Sequence, residues 1–249
     1  MSSNGRPCFV KRWSSPQEAK AVPFTGYSTD ALAFLSGLEA ENSRTYFQAH
    51  RKVYEREVLA PTRALVGDLG RAAWARVSAG LQADPRVGRS LFRINRDLRF
   101  TKDPTPYNPW VDVILWEGSD PRHSPSLILR MEGEYVTTGA GIMGMQGSLL
   151  ERFRRAVADH RSGEALAGVL REIGIALPGG EISKPRWTRV PADYPPDHPR
   201  AELLRCDTVH VSVREPTPSE IHVSQFVDWL MTRYERFTTL HHWLVSAIG

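Results

Sequence analysis

The sequence predicts an α+β fold in which a central, mainly antiparallel sheet is packed by helices from both ends of the chain. Three observations predict it. Helical periodicity dominates the first eighty and the last hundred residues, apart from one alternating stretch near residue 210. Segments of period two cluster in the middle. The strict strand-helix alternation of a doubly wound parallel sheet is missing, so helices segregated around an antiparallel sheet fit better.

The elements follow in order. Ala31, Phe34, Leu35 and Leu38 recur at helical spacing after Ser28 and Thr29, which can cap. A second helix begins after Asn42 and Ser43, with Tyr46, Phe47, His50, Val53, Tyr54 and Val58 on one face. Pro61 marks a break or restart, and a third helix runs from Thr62 to about Ala79. From Ser90 the period becomes two: Phe92, Ile94, Leu98 and Phe100 on an apolar face, and Arg93, Asn95, Asp97 and Arg99 on a charged one. After a proline-rich connection, strands are predicted at Val111–Trp116, Ser126–Met131 and Glu134–Thr138. The last two form a hairpin through Glu132-Gly133. Leu149–His160 and Glu164–Ile173 are helical, Pro178–Pro199 is an irregular excursion, and Thr208–Val213 is a strand. Val223 to Leu244 closes the chain as one amphipathic helix. No linker divides the chain, so residues 23–249 read as a single domain behind a poorly ordered tail at 1–22.

Composition narrows the function classes. Of 249 residues, 41% are hydrophobic, and no run approaches the roughly 18 consecutive apolar residues of a membrane helix. The first 22 residues lack the apolar core of a secretory signal. Cys8 and Cys206 are the only cysteines, without the spacing of a metal knuckle, which points to a reducing cytoplasm. Net charge is +4 and the pI about 9.2. The basic residues are mostly arginine, suited to bidentate recognition of carboxylates and phosphates. With acids interspersed and no basic run, nucleic acid is disfavoured as a partner.

Two motifs carry little functional weight. Gly139-Ala140-Gly141-Ile142-Met143-Gly144 matches a dinucleotide fingerprint, but no strand ending in an acidic ribose ligand follows. It reads as a glycine-rich loop between strand and helix. The histidines are scattered without metal-ligand spacing, and His241 and His242 cannot share one helix face. Neither metal nor cofactor is expected.

The dense stretch Arg93-Ile94-Asn95-Arg96-Asp97-Leu98-Arg99-Phe100-Thr101-Lys102-Asp103-Pro104-Thr105-Pro106-Tyr107 carries the functional expectation. On a strand, alternate residues lie about 6–7 Å apart on one face, so Arg93, Asp97 and Arg99 would form one patch able to grip an anion. Arg96 would fall on the apolar face and need an acid from another element. A ladder of internal salt bridges is the competing reading.

This stretch resembles the hallmark of the domain of unknown function 2461 family, whose pattern runs roughly RIxRDxRFSKDKTPYK. Phe24-Thr25-Gly26-Tyr27, Asn42-Ser43-Arg44-Thr45-Tyr46-Phe47, Asp197-His198-Pro199 and Glu202-Leu203-Leu204 resemble further family elements, in order. The resemblance implies a single α+β domain of unknown activity, and it places Asn42 and Arg44 beside the central motif. Two lysines of the pattern are replaced by Pro104 and Asn108, and its tryptophan by Tyr46. The leading expectation is therefore a site for a phosphate- or carboxylate-bearing small molecule, with an enzyme role open. Arg93, Arg96, Arg99, Lys102, Asn42 and Arg44 would bind, and Asp97, Asp103 and Tyr107 are the catalytic candidates. A structural or interaction scaffold is the second reading. A nucleic-acid module using tryptophans such as Trp110 and Trp187 is the third. Oligomeric state stays open.

Overall fold

The computed structural model describes residues 22–177 and 179–248, so the expected N-terminal tail lies outside the described residues except for Val22. Helix α1 (Thr29–Ala40) starts where expected, because the Ser28 hydroxyl accepts the Ala31 N–H. Helix α2 (Arg44–Val53) is capped in the same way by Ser43, which accepts from Tyr46 at 3.0 Å.

Pro61 stands in the first turn of the third helix, the restart expected, with no break in the helical backbone before it. A π turn at Tyr54–Leu59 carries α2 directly into α3 (Ala60–Arg76). A proline ring in a regular α-helix clashes with the carbonyl four residues back and leaves a hydrogen bond unmade. The wider turn relieves that conflict, with the Ala60 N–H reaching back five residues to the Glu55 carbonyl.

Five strands form one antiparallel sheet in the order β1-β2-β3-β5-β4: β1 (Val111–Trp116), β2 (Ser126–Met131), β3 (Tyr135–Ile142), β4 (Glu181–Ile182) and β5 (Val209–Pro216). The expected β2–β3 hairpin is present, closed by Glu132 N–H to the Tyr135 carbonyl at 2.9 Å. Two-residue β4 is too short for any periodicity to reveal. Val113 and Leu115, Leu127 and Leu129, Val136 and Ala140, and Val209 and Val211 alternate onto the buried face and join the helices in one core. Asp112, Arg130, Thr137 and Arg214 make a cross-strand row on the opposite, partly open face. Gly139 and Gly141 belong to β3, so the connection to α4 (Gly147–Ala158) is only Met143–Gln146, shorter than the expected loop. A Cβ on Gly139 would lie 2.5 Å from the Val211 carbonyl oxygen, so glycine here lets β3 and β5 approach.

Helices α4 and α5 (His160–Ala176) are locked by Arg200, just before the short α6 (Ala201–Leu204). Its buried guanidinium donates to the carbonyls of Val157, Ala158 and Asp159 and pairs with Glu164 at 2.8 Å. The Val157 and Ala158 carbonyls end α4, where a cation satisfies them, while that of Asp159 also accepts the Gly163 N–H at the start of α5. Gly163 makes room for it. The expected C-terminal helix is two, α7 (Phe226–Tyr234) and α8 (Thr238–Ile248), joined by a 3-10 turn. Helix α7 packs on α3, and α8 on α4 and α5, so the apolar stripe must turn between two sets of neighbours.

The expected strand from Ser90 to Phe100 is absent. After a turn ending at Ser90, residues 91–96 form an extended segment with a bend at Ile94, bridged to the outer edge of β1 at Leu91–Val113 and to the returning chain at Asn95–Tyr107. Residues 98–100 then coil into a 3-10 turn capped by Asp97. The facing segment carries Pro104, Pro106 and Pro109, which supply no N–H to a ladder. The faces differ too: Leu91 and Ile94 are buried, whereas Phe92 is 43% and Leu98 37% exposed.

Candidate functional site

A cleft of about 330 Å³ opens between the π turn and this extended segment. Its floor follows from backbone pairing. Arg96 N–H donates to the Pro106 carbonyl and Asn108 N–H to that of Ile94, so the N–H and C=O of Tyr107 point away from the 94–96 segment. Asn42 takes both: its Nδ2 donates to the Tyr107 carbonyl at 2.9 Å, and its Oδ1 accepts the Tyr107 N–H at 3.1 Å. The amide thus acts as a neighbouring strand would. The Tyr107 ring then stacks on Phe47, with centroids 4.3 Å apart and planes 16° apart. Tyr54, on the π turn, closes the aromatic wall at 5.4 Å from Phe47.

Polar groups stand on the remaining walls. Arg93 and Asn95 come from the extended segment, and Gln48, Arg51 and Glu55 from the helix. Arg51 and Glu55 pair at 2.9 Å. The Arg93 guanidinium is close enough to Asp97 to help hold that carboxyl down, yet it makes no hydrogen bond or ion pair among the described residues.

The other expected residues are placed differently. Arg96 pairs with Asp103 and with the Thr105 hydroxyl, so its acid comes from the same loop and not from another element. Arg99 pairs with Asp97 through two contacts, at 2.9 and 2.6 Å. The 3-10 turn folds Arg99 onto its own cap, so Arg93 and Arg99 both stand near Asp97 but, of the three residues expected to share one patch, Arg93 is the one that lines the cleft. Lys102 and Arg44 are exposed and do not line the cleft. Asn42 clamps the backbone, so neither end of its amide is aimed at a ligand.

Hydrogen bonds to the Arg99 side chain and backbone hold the Asp97 carboxyl well below the usual range. The Thr105 backbone N–H and the Arg96 guanidinium pull Asp103 down to about 2. Both are committed anions, and a carboxylate stabilised this way is a poor proton acceptor near neutral pH. Tyr107 alone of the three catalytic candidates reaches the cleft.

Sequence reading missed Gln48, Arg51, Glu55 and Val87. Polar residues on a helix flank look like solvent contacts, and only the return of a distant segment makes them a wall. Elsewhere, His241 Nε2 meets Glu117 Oε2 at 2.9 Å, and the buried Nδ1 has no partner among the described residues. Among these residues no three His, Cys, Asp or Glu side chains gather as a metal site.

The fold and cleft define an α+β protein whose two polar motifs, at residues 42–47 and 93–107, meet around one buried tyrosine. The chain belongs to the family described as conserved hypothetical protein (DUF2461), whose model matches residues 30–243. A comparison with curated proteins gives no match.

Proposed function

We propose that the protein binds a small anionic molecule in the cleft between the π turn and the extended segment, with Arg93 as the anchoring cation. The observation that supports this is an uncommitted guanidinium beside neutral amides and an aromatic floor. Clefts of this kind, apolar with a few convergent polar groups, are where small ligands bind. A charge-assisted contact to Arg93 is the strongest interaction the cleft offers. Arg96 and Arg99, expected to share this role, serve the reading better as braces of the adjoining loop.

The test is isothermal titration calorimetry with acetate and with inorganic phosphate. At least one should bind the wild type, with about tenfold or greater loss in Arg93→Gln and no more than twofold loss in Arg99→Gln. Binding lost in Arg99→Gln and kept in Arg93→Gln would return the site to the loop.

A scaffold role is the second reading, favoured by the pairing of Arg96 with Asp103 and Arg99 with Asp97. Arginines elsewhere pair in the same way, Arg130 with Asp112 and Arg233 with Glu215. That use of arginine weakens the nucleic-acid reading. No helix among the described residues is long and apolar enough to cross a membrane. Cys206 is a buried free thiol that burial pushes up to about 11. An inert thiol of this kind suits the cytoplasmic setting read from the sequence.

A further inference from the structure

We infer that the anion this cleft takes is a monocarboxylate on a flat apolar body, an aromatic acid, in preference to a phosphate ester; the inference rests on the reading of the cleft as an anion site. Charge decides the first half. Three ionised side chains line the cleft, Arg51, Glu55 and Arg93. Arg51 and Glu55 offset one another, which leaves one net positive charge at Arg93. On the adjoining loop, Arg96 with Asp103 and Arg99 with Asp97 cancel likewise. A phosphate monoester carries close to two negative charges at neutral pH. Its second charge would meet no further net positive charge in the cleft. A carboxylate carries one, and its two oxygens match the flat fork of a guanidinium.

The walls decide the second half. Phe47, Tyr54 and Tyr107 give three rings on one side, with the apolar Ile94 beside them. Rings stack favourably on rings, beyond the apolar area they bury. Gln48 and Asn95 add neutral hydrogen-bonding groups without changing the charge count. A volume of about 330 Å³ lies at the small end of ligand clefts, roughly 300–1,000 Å³. It suits one ring with a short polar arm better than a nucleotide.

The experiment is calorimetric titration of the full chain with benzoate, benzamide and inorganic phosphate. Benzamide has the ring without the charge, and phosphate the charge without the ring. Benzoate should bind at least tenfold more tightly than either, and Arg93→Gln should lose at least tenfold of that affinity. Glu55→Gln raises the net charge to +2 and should strengthen phosphate binding several-fold. If phosphate binds as tightly as benzoate and still needs Arg93, the anion site stands and the aromatic carboxylate is wrong. Equal binding of benzoate and benzamide likewise overturns the inference. No binding of any probe removes the anion site and this inference together. Both variants change exposed side chains, and their melting curves should overlay the wild type. Should one misfold, the wild-type ranking of the three probes still decides.

Discussion

The amide of Asn42 spans both backbone groups of Tyr107, so truncating it leaves a half-buried N–H and C=O without partners. Asn42→Ala should cost about 2 kcal/mol in urea unfolding and weaken any ligand of the cleft by loosening its floor. Asn42→Asp should be no better than alanine, because a carboxylate cannot donate to the Tyr107 carbonyl. Arg200 is the residue-scale counterpart in the helical half. Its guanidinium is buried against three α4-terminal carbonyls and Glu164. Arg200→Met should destabilise by about 3 kcal/mol with ligand affinity unchanged, and stability within error of wild type would contradict that role. Arg93 and Tyr107 were legible in the sequence as part of one charged stretch. Their separation from Arg96 and Arg99 was not, because alternation treats the stretch as straight. Asp97 invites a local turn by capping its own neighbour, and that competing geometry won.

At the scale of elements, strands β1 and β2 were legible to the residue, since each is a short apolar-rich run bounded by proline, glycine and serine and each carries a buried face. The π turn was not. Proline in a helical pattern ordinarily signals a boundary, and the π turn that absorbed it leaves no periodic trace. That turn places Tyr54 and Glu55 on the cleft. Replacing Pro61 by alanine removes the clash that the wide turn accommodates. Hydrogen exchange of Pro61→Ala should show slower exchange across residues 54–62, as regular α bonds become available, with altered affinity in the cleft. Unchanged exchange would mean that packing on either side, not the proline, maintains the π turn.

Across the whole molecule, His241 ties the C-terminal helix to Glu117, which follows directly on β1. Burial lowers the His241 pKa from its ordinary value despite the carboxylate beside it. The unfolded chain therefore binds this proton more readily than the folded one does. The resulting stabilisation is fully present above the ordinary histidine pKa of 6.5 and falls as pH drops below it. Thermal melts from pH 7.5 to 5 should fall more steeply for the wild type than for His241→Gln, and parallel curves would refute the assignment. The motifs at residues 42–47 and 93–107, distant in sequence, enclose one cleft. Amide chemical-shift mapping during a benzoate titration tests it most directly. Shifts should concentrate at Gln48, Tyr54, Arg93, Asn95 and Tyr107 and spare Arg99 and Lys102; shifts centred on residues 97–103, or none anywhere, would contradict it.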